Sequence, residues 1–382
     1  MKYIPYGKQS IDNNDKKFVL ESLSSDLITT GPYVKKFENQ IKKYLRCKYS
    51  YVCNSGTSAI HLAMLSIGLK EGDIILMPAI NFIASYNIAK TMNLKIYLVD
   101  VDEYTGQITP EKILKCIKKN KITQIKALIL MYHGGFPENL KKFYELKKKY
   151  KMFLIEDACH ALGSEYIHKN KLIKVGSCKH ADISTFSLHP LKTITTGEGG
   201  IVTTNKYKIA KNIELFRSHG ISRNKKNHWR YDVLKTGFNY RLADINCALG
   251  LSQLKKIKIY IRERRKIYIN YLKNFKNFHQ ALIIPKYSKN IKSSYHLFLI
   301  NILFSTINKN KDHFMKYLLR NNIMAQQHYI PIYKFKIYKN STKDFPGSEK
   351  YYENTISIPI FVELNKQKQK KIIKIIKKYF KR

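Results

Sequence analysis

Acidic side chains are scarce in this chain. Its 382 residues carry 27 Asp and Glu against 70 Lys and Arg, a formal charge of +43. Such a balance admits a polyanionic partner, either nucleic acid or an acidic membrane. The lysines are spread along the whole chain, however, and Lys, Ile, Asn and Tyr are abundant together. That pattern points to coding bias, so the expectation is no nucleic acid and no membrane. The basic field would still attract a small anionic substrate. Paired cysteines are missing too. Cys47, Cys53, Cys116, Cys159, Cys178 and Cys247 show no CxxC pair and no metal-ligand spacing, which leaves reduced thiols in a cytoplasmic protein and no metal. No run approaches the roughly 18 apolar residues of a membrane span, and the opening MKYIPYGKQS lacks the apolar core of a signal peptide. Neither GxGxxG nor a Walker lysine pattern occurs, so dinucleotides and nucleoside triphosphates are not indicated. What is present is 44% hydrophobic content, enough for a real core. The length suits two domains, or one large domain with a lobe attached.

The chain is organised around STFSLHPLKTITTGEGGIVTTN, residues 184–205. This stretch predicts a strand over 183–186, an exposed loop with Lys192, a turn at Gly197, Gly199 and Gly200, and a strand from 201. Two strands would hold the amine at a sheet edge. A lysine forms an imine with an aldehyde only as the neutral amine, and a dry site or a nearby cation favours that form. Upstream, YSYVCNSGTSAIHLAML (49–65) predicts a short strand ending at Cys53 and a helix opening at Asn54-Ser55-Gly56-Thr57-Ser58. Such a start is an anion site by its free N–H groups, or a plain N-cap.

Strand and helix patterns then alternate. Strands are predicted over 74–77, 96–99, 127–131 and 153–155, with helices to Met92 and over 140–150. This alternation predicts an α/β protein with a mainly parallel sheet and helices on both faces. Ligands then sit beyond the carboxyl ends of the strands. Asp157 stands at such an end, where an acid after an apolar strand needs a partner. His160 either stacks on a ring or is a satisfied core histidine. Asp100 and Asp102 read as solvated loop carboxylates. Past Leu254, a long basic helix over 255–275, a strand over 295–304 and a helix over 312–320 predict a smaller α/β lobe. In the tail, Ile372, Ile373, Ile376 and Phe380 recur at helical spacing, and the expectation is a helix docked on its own domain. Together, an imine-forming lysine, a carboxylate and an anion-binding helix start fit pyridoxal 5'-phosphate. Lys192 would meet the aldehyde, Asp157 the ring nitrogen and 56–58 the phosphate, with Phe82 against the ring.

These residues carry a family resemblance. Cys53-Asn54-Ser55-Gly56-Thr57-Ser58-Ala59, EDACHALG at 156–163, the Lys192 loop and GFNYRL at 237–242 resemble the nucleotide-sugar aminotransferases of the DegT/DnrJ/EryC1/StrS family. That resemblance implies the type I fold of aspartate aminotransferase. It implies an arm and cofactor-binding large domain over 1–250 and a small C-terminal domain over 251–382. HPLKTITTGEGG (189–200), FRSHGI (216–221), ALGLSQL (248–254) and HYIPIY (328–333) are similar to the subgroup acting in pseudaminic acid synthesis. One position departs, with Phe136 where the family commonly has glutamine.

The resemblance also implies roles. Lys192 would link the cofactor and move the proton, and Asp157 would hold the pyridine nitrogen. Thr57, Ser58 and Ser187 would bind phosphate. Asn239 would reach into a neighbouring subunit's site and so require a homodimer. The alternative for Asn239 is a cap on the helix starting near 243. Tyr6, Asp26, Leu27, Ile28, Thr29, Ser55, His328, Tyr329, Ile330 and Pro331 would line a sugar-nucleotide channel, with Ser187 and Asn239 beside it. Relatives with histidine in place of the lysine act as dehydratases, which the presence of Lys192 disfavours. The expected reaction moves an amino group from L-glutamate to C4 of a UDP-linked 4-keto-6-deoxy sugar. Legionaminic acid or perosamine-type transfer is the second reading, and a basic binding protein without catalysis is the third.

Overall fold

The computed structural model describes residues 3–224, 226–227, 229–338 and 344–381. The first two residues of the expected N-terminal arm lie outside these. Two helices open the chain, α1 (Asn13–Leu23) and α2 (Pro32–Leu45). Asp12 and Asp15 close a reciprocal capping box at the start of α1. Then β1 (Tyr49–Cys53), α3 (Gly56–Ser66), β2 (Ile74–Pro78), α4 (Ala84–Thr91), β3 (Lys95–Val99), α5 (Pro110–Lys119), β4 (Ala127–Met131), α6 (Leu140–Tyr150) and β5 (Phe153–Asp157) follow in alternation. A hairpin of β6 (Glu165–His168) and β7 (Lys171–Lys174) interrupts them. The strands β8 (Ile183–Ser187) and β9 (Gly200–Thr204) flank the Lys192 loop.

Seven of these strands form one sheet in the order β1-β9-β8-β5-β4-β2-β3. Six run in one direction and β9 alone runs against them. Both faces are buried, which is why β4 reads as an unbroken apolar run. Leu128 and Leu130 face one core with α2, α5 and α6. Ala127 and Ile129 face the other, with α3 and α4. The carboxyl ends of the six co-directional strands therefore gather along one edge.

Beyond the sheet lie α7 (Tyr207–Arg217), the short hairpin β10 (Ile221–Arg223) and β11 (Tyr231–Val233), α8 (Asp244–Lys255) and α9 (Ile257–Phe275). The last of these bridges two cores: Ile257 and Tyr260 belong to the large one, Ile267, Tyr271 and Phe275 to a separate one. The expected single helix over 255–275 thus begins two residues later, because α8 ends at Lys255. The second core forms under β12 (Leu282–Ile283), β14 (Phe298–Ile302) and β15 (Thr355–Ile358), a three-stranded sheet, with α10 (Lys311–Arg320) and α12 (Lys366–Tyr379). Strand β13 (Ile291–Lys292) pairs with β6, and α11 (Pro346–Asn354) precedes β15.

The basic tail helix α12 buries Ile372, Ile373, Ile376 and Tyr379 in this second core. It packs on this core as its spacing predicts, except that Tyr379 is buried and Phe380 only partly so. Among the described residues no helix is long and apolar enough to cross a membrane. Phe136 is buried in the second core, stacked on Tyr287 with ring centroids 3.6 Å apart. The departure from the family pattern is therefore packed away from the cavity described next.

Candidate active site

The sheet edge opens into a cavity of about 390 Å³. The ends of β1, β4, β5 and β8 feed it, β4 through Met131. At the end of β1, Ser55 caps α3 by accepting from the Ser58 N–H at 3.0 Å. Gly56 and Thr57 occupy the first two helical positions, where N–H groups have no preceding turn to bond, and both line the cavity. Gly56 is required by close approach, since a Cβ there would lie 2.9 Å from the Cβ of Ser187. Ser187, at the end of β8, also lines the cavity. The Ser58 hydroxyl instead donates to Asn54 within the capping network, and Ser58 is not among the lining residues.

Asp157 ends β5 and is 3% exposed. Its carboxylate receives two long bonds, from the Ser85 hydroxyl and the Cys159 N–H, each at 3.3 Å, and the Cys159 thiol also lies against it. Ser85 is in turn approached by the Asn81 amide at 3.4 Å. This buried Asn81–Ser85–Asp157 tier was not legible in the sequence, because α4 and β5 are far apart along the chain.

Lys192 enters from the β8–β9 loop. That loop is pinned, with the Thr195 hydroxyl and the Thr196 N–H donating to the Leu188 carbonyl at 2.9 and 3.0 Å. Burial pushes the Lys192 amine below its ordinary value, and Cys159 and Asp157 oppose that only in part. The neutral amine that imine chemistry needs is therefore more accessible than on an exposed lysine.

Tyr6, Phe82, His160, His328 and Tyr329 complete the expected lining residues. Phe82 stands at the rim, 53% exposed. Sequence reasoning missed Glu198, His189 and His296, which also line the cavity. Glu198 had a usable signal, its place between two glycines of the same loop. His296 had none, since only tertiary packing brings it there. A dense group of imidazoles surrounds the amine, and burial holds His133 down to about 3.

Other expected residues lie elsewhere on the single chain. Asp26, Leu27, Ile28 and Thr29 are exposed, and Thr29 bridges Ala243 in the backbone. Ile330 is exposed at 40%, and neither it nor Pro331 lines the cavity. Asn239 is exposed, bridges Ser218 and accepts from the Asn54 amide through its carbonyl at 3.3 Å. It does not cap α8, whose N-cap position is held by Ala243 without a side-chain bond. The helix-cap alternative is thereby corrected, because Asp244 turns away to bind the N–H groups of Gly31 and Tyr33 at 2.7 and 2.8 Å.

Asp100 also needs correction. It is not a solvated loop carboxylate: Lys112, the Gly347 N–H and both the N–H and hydroxyl of Ser348 bond it at 2.7–3.0 Å. Asp102 does act in a turn, accepting from the Tyr104 and Thr105 N–H groups. Among the described residues no cluster of three metal-ligating side chains occurs.

These residues fit pyridoxal phosphate. An under-bonded buried carboxylate suits a cationic ring nitrogen, an amine of lowered pKa suits an aldehyde, and the α3 start beside Ser187 suits a phosphate.

Comparison with known proteins agrees. The chain is 38% identical over 364 residues to a UDP-4-amino-4,6-dideoxy-N-acetyl-beta-L-altrosamine transaminase from Campylobacter jejuni, covering 95% of this chain and 93% of that one. It is 32% identical over 382 residues to a GDP-perosamine synthase from Escherichia coli O157:H7, covering 100% and 99%. Among solved structures, Helicobacter pylori PseC, an aminotransferase involved in pseudaminic acid biosynthesis, superposes with a TM-score of 0.89 at 30% identity over 99% of both chains. Residues 9–377 match the profile of the DegT/DnrJ/EryC1/StrS aminotransferase family. The chain belongs to that family and is a pyridoxal-phosphate-dependent aminotransferase of fold type I.

Proposed function

We propose that this nucleotide-sugar aminotransferase moves an amino group from L-glutamate to C4 of UDP-4-keto-6-deoxy-N-acetyl-β-L-altrosamine, a step in pseudaminic acid synthesis in the cytoplasm. The observation that carries the chemistry is Lys192 and Asp157 on the walls of one cavity. The sugar is supported by the altrosamine transaminase relative and by the pseudaminic acid aminotransferase among the structural neighbours. The perosamine synthase, similar over the whole chain, keeps transfer to a GDP-linked 4-keto sugar as the second reading.

Pyridoxal phosphate, when bound, supplies an electron sink for negative charge on the substrate carbon. Lys192 would hold its aldehyde and, once displaced by the amine of a substrate, carry a proton from one carbon to the other within each half-reaction. The Asp157 carboxylate would hold the protonated ring nitrogen. Gly56, Thr57 and Ser187, with Ser58 behind them, would hold the phosphate. Phe82 and His160 would confine the ring, and Tyr6, Ser55 and the segment 328–331 would face the sugar.

Asn239 and residues 26–29 would serve the site of a second copy. Their exposure supports that reading, as do the exposed Tyr231, Val233 and Leu234 near the short hairpin. In this proposal residues 1–250 supply the cofactor-binding domain and 251–382 the small domain.

The test is product analysis by mass spectrometry and NMR after incubation with glutamate and a panel of UDP- and GDP-linked 4-keto sugars. Amination of the UDP-altrosamine precursor well above the others is expected. Turnover confined to a GDP sugar overturns the pseudaminic reading.

A further inference from the structure

We infer that His160 works as a positioning residue for Tyr329, fixing the Tyr329 hydroxyl as a hydrogen-bond donor to an acceptor oxygen on the ligand in the cavity. This inference rests on the family's aminotransferase chemistry and not on which sugar is used.

The assignment follows from counting hydrogens. The Gly134 N–H donates to Nδ1 of His160 at 3.3 Å. A backbone N–H can only donate, so Nδ1 is the bare, accepting nitrogen. Burial, followed by the charges of Lys192, His296, His133 and His328, holds His160 far below its ordinary pKa. The ring is therefore neutral and carries its single hydrogen on Nε2. Nε2 lies 2.9 Å from the Tyr329 hydroxyl, so His160 donates and Tyr329 accepts. The reverse arrangement would put a hydrogen on Nδ1, facing the Gly134 N–H with two donors and no acceptor.

Tyr329 then keeps its own hydrogen. Burial first, then the nearby Asp157, Cys159, Tyr6 and Tyr351, keeps its phenol protonated. Among the described residues that hydroxyl has no second hydrogen-bond partner. Tyr329 is half-buried, so this donor faces the cavity without a protein acceptor and bonds whatever fills it. Both rings line the cavity, so an oxygen of the bound ligand is what satisfies it. Two sources present that chemistry, the phenolic oxygen of the cofactor and the keto oxygen of the substrate.

A matched pair nearby shows that the arrangement is specific. His133 donates through Nε2 to Tyr351 at 2.7 Å, because the Tyr351 hydrogen goes to the His328 carbonyl at 2.7 Å. There the tyrosine hydrogen is used inside the protein. At Tyr329 it is left over.

The experiment uses full-length, cofactor-loaded protein with Tyr329→Phe, His160→Asn, His160→Gln and the double variant His160→Asn/Tyr329→Phe. The glutamine amide can reach the Nε2 position and donate to Tyr329, whereas asparagine reaches only the Nδ1 position. Two readouts are taken. One is the pH midpoint of the visible absorbance change without substrate, and the other is kcat and KM for each half-reaction. Tyr329→Phe is expected to move the midpoint by about one pH unit, or to lower kcat/KM for the keto sugar about tenfold with the midpoint unmoved. The first result places the oxygen on the cofactor and the second on the substrate. His160→Asn should reproduce the same change, His160→Gln should largely spare it, and His160→Asn should add less than about twofold in the Tyr329→Phe background. The inference is overturned if Tyr329→Phe matches wild type in both readouts. It is equally overturned if His160→Asn keeps its full effect without the hydroxyl. A wrong sugar assignment would leave the absorbance readout and the glutamate half-reaction intact, so the two failures are distinguishable.

Discussion

Two carboxylates stand on the same edge of the sheet, with β4 and β2 between their strands, and do opposite things. Asp157 closes β5 and Asp100 directly follows β3. Both are largely out of water. Asp100 is saturated, with a lysine, a hydroxyl and two N–H groups of α11 bonding it within 3.0 Å. Asp157 has two long bonds of 3.3 Å, the weak Cys159 thiol beside it, and a cavity in front of it. Burial alone does not mark a working carboxylate. Burial combined with unfilled hydrogen-bonding capacity does, because such a group is tolerable only if a ligand completes it. The same contrast separates Tyr351 from Tyr329.

The largest effect expected on the functional side of this contrast is at Lys192. Lys192→Ala should lower turnover on the order of 10⁴-fold while the protein still folds and takes up cofactor weakly. In wild type, borohydride should fix the cofactor on the peptide containing Lys192. A label recovered on another lysine would place the chemistry elsewhere in the molecule.

Asp157→Asn comes next. The shape is kept and the charge is lost, so kcat should fall about 10²–10³-fold, with little change in the thermal midpoint because only two weak bonds are disturbed. Near-normal turnover would make Asp157 another Asp100.

Much of this was legible beforehand. The β/α alternation, the strand over 127–131 and the helix over 140–150 came from hydrophobic period and length, which are local signals. Lys192, Asp157 and Gly56 were found because glycine turns and polar residues after apolar strands are local signals too. The use of Asp100 was hidden because its partners Gly347 and Ser348 lie some 250 residues away and were predicted as nothing in particular. His296 and the Asn81–Ser85 support of Asp157 were hidden for the same reason. The short strands β12, β13 and β15 lack enough residues to show a period at all.

A smaller effect is expected where the site is open. Asn239→Ala should weaken cofactor affinity about tenfold, the scale of one hydrogen bond. If Asn239 serves the other subunit, hybrids of Asn239→Ala with Lys192→Ala contain one site with both lesions and one with neither. Titrating verified hybrids should then reveal a wild-type class of active sites. Hybrids that show only weakened sites would assign Asn239 to its own subunit.

The smallest effect on catalysis belongs to Asp100, where the change should appear in stability instead. Burial by itself would raise this carboxyl, but the bonds from Lys112 and Ser348 outweigh it and hold the pKa below the ordinary 3.8. A native pKa lower than the unfolded one stabilises the fold above the unfolded value. That stabilisation disappears as pH falls through the native value. Asp100→Asn removes the charge and points an amide N–H at groups that are themselves donors. At pH 7 the variant should lose about 1–3 kcal/mol, read as a lower urea midpoint with unchanged slope. Its kcat/KM at pH 7 should stay near wild type, since Asp100 anchors α11 and does not line the cavity. The gap to wild type should hold down to about pH 5 and narrow below 3.8. A gap that widens on acidification, or a variant as stable as wild type at pH 7, would mean that the four bonds to Asp100 contribute nothing net. The distinction drawn between the two carboxylates would then rest on Asp157 alone.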